Sequence, residues 1–416
     1  MKIGNIIKYH RNQRKLTQRE LCHGICSVTQ LSRIESNSKG VDDATAFLLL
    51  ERLGVSFFKI NNLNTELDKH LELLIRFIIF FDQVSASNQY ILLKNKEDEY
   101  HLSDKIYTYK IYLFRYYLFT NDLEKSSDIK IKLSSFFNVF SSYEKDLFDY
   151  CNAILLLQQG NYIEALEIFR NLEERATLPV IYNGEFFYLT SLLYSNINDS
   201  SKSITYAQKA LKAFGDQFNY IRVLHAQILL GIHYTELGLF QDALEQYEHL
   251  LRNSNLINNA EIITTIHHNY AIFCERQKKY EKAINHYTIA QNKSKTSFQY
   301  YLSLCNLTEI LIRQNKKNEA LKNINIILRN TRTKELEKYY MTFKYHKYAI
   351  LDKTSLALGY LEKHLLPYLE KNNLNNDIRK FTLLLADYYK DVDKDKSIFY
   401  YEKLKGVVIN ENNFVY

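Results

Sequence analysis

The sequence predicts an all-α protein in two parts, a small N-terminal head of short helices and a long C-terminal array of helical hairpins. Three observations carry this. The 416 residues include only two prolines and eleven glycines, the residues that break helices and shape tight turns. Small residues recur at a nearly constant spacing through the C-terminal part. The positive charge is gathered at one end.

The chain is too long for a single small core. Its 46% hydrophobic and 24% charged residues read as soluble and globular. No apolar run reaches the roughly 18 residues of a membrane span, and the run from Leu71 to Phe81 is interrupted by Glu72 and Arg76. The N-terminus, MKIGNIIKYHRNQRK, alternates apolar and basic residues without a cleavage site, unlike a signal peptide. The five cysteines, Cys22, Cys26, Cys151, Cys274 and Cys305, are odd in number and scattered. Reduced thiols in a cytoplasm are expected.

Residues 1–40 hold eight basic side chains (Lys2, Lys8, Arg11, Arg14, Lys15, Arg19, Arg33 and Lys39) against Glu20 and Glu35. That is +6 of the total +7. A compact basic end on a near-neutral body is the footprint of a nucleic-acid-binding head.

Within the head, Ile3, Ile6 and Ile7 recur at helical spacing. Thr17 is an N-cap, and Glu20 completes a capping box. A short helix therefore runs from Gln18 to about His23. Gly24 turns the chain and Ser27 caps a third helix, ended by Asn37 and Gly40. Asp42 and Asp43 open a fourth, which Gly54 closes. Short helix, tight turn, short helix is the geometry that seats the second helix in a major groove. That recognition helix is Val28 to Glu35, with Leu31 and Ile34 facing the core. Thr29, Gln30, Ser32 and Arg33 then point outward. Gln18 offers its amide and backbone N–H to a phosphate, and Arg19 and Ser27 flank the same surface.

The segment LTQRELCHGICSVTQLSRIES resembles the phage-repressor type of DNA-binding domain, the XRE family. The matching elements are Leu16-Thr17-Gln18, Glu20-Leu21 and Leu31-Ser32-Arg33-Ile34-Glu35, and the turn here is one residue shorter than the family's. Cys22, His23 and Cys26 invite a zinc reading, but a structural site needs four ligands and no second pair exists. Cys22 instead fills a small slot between helices. No metal or other cofactor is expected.

Domain boundaries follow: a head at 1–60, a polar linker at 61–68 (NNLNTELD) and repeats at 69–416. Small residues fall at Ala165, Ser203, Ala243, Ala283 and Ala320, spaced by 38, 40, 40 and 37 residues. Twelve residues before each lies Ala153, Ser191, Gly231, Ala271 or Thr308. Small residues at two such points let paired helices cross closely, and an aromatic (Phe169, Tyr247, Tyr287) plugs the gap to the next pair. Fainter units centre near Ser127, Ala357 and Ser397. The pattern resembles the tetratricopeptide repeat, with Leu230-Gly231-x-x-Tyr234-x-x-x-Gly238 its clearest copy. That resemblance implies a right-handed superhelix with a concave groove, whose core is made by stacking.

In such repeats the first helix of each pair lines the groove. Asn269 and Asn306 occupy one equivalent position, and His268 and Cys305 precede them. Arg276 and Arg313 occupy another, with Glu275 and Glu309 nearby. An amide side chain both donates to and accepts from a peptide unit, and an arginine takes a carboxylate. His268, Asn269, Arg276, Asn306, Glu309 and Arg313 are therefore the candidate peptide-binding set.

A repressor-type head on such repeats resembles the RNPP group of peptide pheromone receptors of Gram-positive bacteria. Ile3-Gly4-Asn5-x-Ile7 and Gly24-Ile25-Cys26-Ser27 look most like its PlcR and NprR branches. The resemblance implies a cytoplasmic homodimer on a palindromic operator, whose repeats bind a short signalling peptide (quorum sensing). A second reading has the repeats bind a protein partner, such as a response regulator, and sequester or dephosphorylate it. An enzyme in its own right is not indicated: G-x-S-x-G, a phosphate-binding glycine loop and H-E-x-x-H are all lacking. His267 and His268 point about 100° apart on a helix, which is poor for joint ligation.

Overall fold

The computed structural model describes residues 3–36, 38, 40–100, 103, 105–254, 259–293, 298–330, 336–372 and 374–404, with backbone alone at 57–62 and 254. Every regular element among them is a helix. They divide into two compact units, Met1–Val223 and Leu224–Tyr416.

The head comprises α1 (Ile3–Gln13), α2 (Gln18–Cys22), α3 (Val28–Glu35) and α4 (Asp43–Arg52). Thr17 accepts the Glu20 N–H and Glu20 returns the bond, so the capping box is formed. Ser27 accepts from the Gln30 N–H and Asp42 from the Thr45 N–H. Each satisfies a backbone donor that a helix start leaves open. Gly24 turns the chain at φ +71°, a conformation that strains any residue with a Cβ. Leu21, Cys22, Leu31 and Ile34 join Ile6, Ile7, Leu49 and Leu50 in one buried cluster. Asn37, expected to end the recognition helix, lies outside the described residues, as do Lys2 and Lys39; Ser36 follows α3 as its C-cap.

Residues 61–68, read from the sequence as a linker, are helical: they lie inside α5 (Phe57–Ile79). Leu63, Leu67, Leu71, Leu74, Ile75 and Ile78 form its buried stripe, at the three- and four-residue spacing of an amphipathic helix. Glu66 pairs with Lys96 and Asp68 with Lys105 on its outer face. Asn64, by contrast, is buried and accepts from the Ser103 hydroxyl.

The body follows as hairpins. In the first unit these involve α5, α6 (Gln83–Asn95), α7 (Glu97–Tyr100), α8 (Ile106–Phe119), α9 (Leu123–Ser134), α10 (Ser142–Gln158), α11 (Tyr162–Arg175), α12 (Asn183–Asn196) and α13 (Ser200–Asp216). Next come α14 (Tyr220–Glu236), α15 (Phe240–Ser254), α16 (Ala260–Arg276), α17 (Tyr280–Lys293), α18 (Phe298–Arg313) and α19 (Lys317–Asn330). The C-terminal helices are α20 (Glu337–Ile350), α21 (Thr354–Tyr360), α22 (Leu366–Lys371), α23 (Asn375–Tyr389) and α24 (Lys394–Leu404).

One local rule builds eight of these turns. Phe81, Asn121, Gly160, Asn198, Gly238, Lys278, Asn315 and Asp352 each have φ between 56° and 83°. Each stands five residues before a buried small residue: Ala86, Ser126, Ala165, Ser203, Ala243, Ala283, Ala320 or Ala357. The left-handed residue reverses the chain, and the small one lets the two helices touch just after. The rule moves the first faint unit from Ser127, whose exposed hydroxyl returns to the Leu123 carbonyl, to Ser126. It also adds α5–α6, a hairpin the spacing did not reveal. Ser191 and Ser203 bond hydroxyl to hydroxyl at 2.9 Å where α12 and α13 touch.

The aromatic plugs Phe169, Tyr247 and Tyr287 are fully buried. A Cβ on Gly231 would lie 2.9 Å from the Tyr247 ring. Gly231→Ala is therefore expected to cost about 1–3 kcal/mol by overpacking. A thermal melt reads this; an unchanged midpoint means the ring can shift.

Candidate DNA-binding surface and groove site

In the head, Arg19, Ser27, Thr29, Ser32 and Arg33 are exposed and Gln30 is half-buried. The short α2 and α3 thus present these six candidates at the surface. Gln18 behaves differently. Its amide donates to Glu35 at 2.8 Å rather than standing out for a phosphate. The cause is Glu35, a carboxylate buried under α3 that needs donors. Arg11 supplies two, at 2.6 and 2.9 Å, and Gln18 the third. Arg11 also donates to the Leu16 carbonyl at 2.8 Å. One of the eight basic residues is thereby spent inside the head, locking α1 to α2 and α3. Arg52 holds the turn from the other side, donating to the carbonyls of Leu21 (2.9 Å) and His23 (2.5 Å). Cys22 is buried with its thiol toward the Arg19 carbonyl at 3.6 Å. Among the described residues no cluster of three or more metal-ligating side chains occurs.

In the second unit a cavity of about 420 Å³ opens between successive repeats, lined by Ile272, Glu275, Arg276, Lys278, Tyr280, Asn306, Glu309 and Arg313. Four of the six groove candidates, Arg276, Asn306, Glu309 and Arg313, meet there. Arg313 bridges two carboxylates, Glu275 at 2.8 Å and Glu309 at 3.3 Å. Asn306 donates to the Tyr287 hydroxyl at 3.3 Å, and Tyr287 donates to Glu275 at 3.3 Å.

Burial sets the protonation of this cluster. Burial raises the Glu275 carboxyl above its ordinary value, with Arg313 only partly offsetting it. Burial acts the same way on Glu309, but Lys380, His346 and Arg313 outweigh it and hold that carboxyl low. His346 is pushed down to about 4 by burial, so it is neutral near pH 7.

His268 and Asn269 do not reach the cavity. Both are fully buried, and His268 Nδ1 bonds the Ser303 hydroxyl at 2.8 Å, tying α16 to α18. Burial takes the imidazole down to about 3. Position in the repeat puts Asn269 and Asn306 in register, yet Asn306 alone of the two keeps an open side. His267, next in sequence, meets His286 nitrogen to nitrogen at 2.8 Å.

Sequence reasoning missed one feature, a buried ion cluster in the first unit. Glu185 on α12 accepts from Arg115 on α8 at 2.6 Å, from Arg222 on α14 at 3.1 Å and from Tyr150 on α10 at 2.8 Å. Asn219 anchors the Ile79 carbonyl at the end of α5 at 3.0 Å. The only available signal was a charged residue at an apolar position in each helix.

Comparison with known proteins agrees with this architecture. Residues 7–60 match the Helix-turn-helix family. The transcriptional activator NprA of Geobacillus stearothermophilus is 26% identical over 406 residues, covering 93% of this chain and 100% of NprA. Response regulator aspartate phosphatase I of Bacillus subtilis (strain 168) is 26% identical over 281 residues, 65% of this chain and 67% of that protein. The quorum sensor NprR of B. thuringiensis, in its apo form, superimposes with a TM-score of 0.72 at 18% identity, over 82% of this chain and 99% of NprR. No helix among the described residues is long and apolar enough to cross a membrane. In its helix-turn-helix head, its body of tetratricopeptide-like hairpins and its likeness to NprA along nearly the whole chain, this protein resembles the RNPP group of regulators.

Proposed function

We propose that the chain is a cytoplasmic, sequence-specific transcriptional regulator that binds a palindromic operator as a homodimer and is controlled by a short signalling peptide seated in its repeats. The observation that carries the peptide reading is the 420 Å³ cavity where Arg276, Asn306, Glu309 and Arg313 converge. Its size suits a small part of a peptide, its amide suits a peptide unit and its arginines suit a carboxylate. NprR, of the same fold, has been solved with its cognate peptide NprX. Homology to a transcriptional activator and the exposed Thr29, Ser32 and Arg33 support operator binding.

Two results are expected. Arg33→Ala should weaken operator binding by about 1–3 kcal/mol and relax specificity at one base position. Binding should fall steeply with salt, and half-sites should lie about 34 Å, or a multiple, apart. Equal affinity for operator and scrambled DNA at physiological salt refutes this. In the groove, Asn306→Ala should lower affinity for the cognate peptide by about five- to 150-fold, the cost of one unpaired backbone group. Calorimetric titration measures this, and a thermal melt checks that the fold is intact.

The match to a response regulator aspartate phosphatase over 281 residues supports a second reading, in which the repeats hold a protein partner such as a response regulator. Operator binding that no peptide alters, together with capture of a purified response regulator, would favour it.

A further inference from the structure

A basic cavity lies in the body part of the first unit, away from the recognition helix. It measures about 290 Å³ and is lined by residues of α6, α7, α8 and α9. Leu113, Ile129, Leu133 and Phe136 give it an apolar side. Four lysines, Lys94, Lys110, Lys125 and Lys132, share the lining with two carboxylates, Glu97 and Asp128. Lys94 pairs with Glu97 at 2.5 Å and Lys125 with Asp122 at 2.8 Å. Among the described residues neither Lys110 nor Lys132 has an ion-pair or hydrogen-bond partner. These two ammoniums are set against Asp128 alone, which leaves one positive charge uncompensated.

Two covered groups distinguish this place from a solvated rim of lysines. Lys110 is half-buried, and its ammonium lies 5.5 Å over the Tyr9 ring. Burial holds that ammonium below its ordinary value, Lys132 and Lys94 add to the effect, and Glu97 opposes it. A partly desolvated charge without a counter-ion is costly, and an anion beside it removes the cost. The second group is the hydroxyl of Tyr109, the residue before Lys110 and one turn before Leu113. It is 1% exposed and has no hydrogen-bond partner among the described residues. Burial raises this phenol, and Glu97 and Tyr117, both in the cavity lining, act on it in the same direction. A buried hydroxyl left unpaired is also costly, and a carboxylate accepts from it.

We propose that this cavity binds an organic carboxylate carrying a small apolar body. The carboxylate sits between Lys110 and Lys132 and accepts from Tyr109, and the apolar body lies on Ile129, Leu133 and Phe136. A single negative charge matches the one uncompensated positive charge, and a phosphate dianion would exceed it and meet Asp128. The volume is that of a small-ligand pocket. Tyr9 belongs to α1 yet packs into the cluster of the body, so Lys110 connects the occupied cavity to the head. This site is separate from the peptide groove and does not depend on it.

The test is calorimetric titration of the full chain with 3-phenylpropionate, with neutral 3-phenylpropan-1-ol and inorganic phosphate as controls. Saturable one-to-one binding of the carboxylate is expected, with both controls weaker by about tenfold or more, the scale of one hydrogen bond to a charged group. Lys110→Met, which keeps the apolar stem, and Lys132→Gln, at an exposed residue, should each weaken binding by about tenfold. Tyr109→Phe should weaken it several-fold. Asp128→Asn removes the opposing charge and should tighten binding several-fold, a gain that a damaged fold does not produce. If Lys110→Met disturbs the melt, Lys132→Gln and Asp128→Asn decide the matter. Asn306→Ala should bind the probe as the wild type does. Absence of saturable binding, equal affinity for carboxylate and alcohol, tighter binding of phosphate, or unchanged affinity in every cavity variant overturns the proposal. Loss of probe binding in Asn306→Ala places the guest in the other cavity and overturns it as well.

Discussion

Glu185→Ala is expected to destabilise the first unit by about 3–5 kcal/mol, the cost of leaving buried charge uncompensated. Arg115 and Glu185 are at most 4% exposed, and Arg222 is 9% exposed. Without the carboxylate two guanidiniums face each other across α8, α12 and α14, and the Tyr150 hydroxyl loses its acceptor. Replacing Arg115 by Met in the same chain should recover part of the loss, because an apolar filler removes the orphaned charge. Hydrogen exchange on α8, α10 and α12 reads the change locally, which suits a repeat array whose unfolding is not all-or-none. Unaltered protection there refutes the idea.

The pH dependence has a definite sign. Burial acts to raise the Glu185 carboxyl, but Arg115 and Arg222 outweigh it and hold it below its ordinary value of 4.5. The stabilisation is therefore present above the unfolded-state value and fades as pH falls through the lower folded-state value. Wild type and Glu185→Ala should converge in stability as the solution is acidified below pH 4.5.

The second large effect belongs to the head. Glu35→Ala removes the acceptor of two Arg11 donors and one Gln18 donor, with Arg11 12% exposed. A loss of about 3–5 kcal/mol exceeds what a domain of this size can spare. The head should unfold and operator binding should vanish, while the melt of the repeats stays in place. Limited proteolysis confined to residues 3–55, alongside a DNA gel shift, measures both. A protease-resistant head that still binds operator refutes it. Arg33→Ala should instead weaken binding with the head intact, so the two variants separate folding of the head from reading of the base.

The head was legible in the sequence because its information is local. Thr17 with Glu20, Ser27 and Asp42 are caps, and a cap acts within three residues. The recognition helix therefore runs Val28–Glu35 in the structure as in the sequence. The hairpin array was legible for the same reason. Ala165, Ser203, Ala243, Ala283 and Ala320 mark helix contacts that recur with each unit, and a repeat stabilises itself through its neighbours.

Tertiary packing decided what local signals do not carry. The polar run 61–68 became part of α5 because Leu63 and Leu67 found a core. Arg11, Gln18 and Glu35 look like three surface residues in sequence, yet lie together inside the head because α1, α2 and α3 converge there. Asn269 and Asn306 share a repeat position, but only Asn306 lines a cavity, since how far a side chain is covered depends on its neighbours and not on its own helix. Arg115, Glu185 and Arg222 are separated by 70 and 37 residues along the chain. A buried charge is tolerated only where the fold delivers its partners, and no spacing rule announces that meeting.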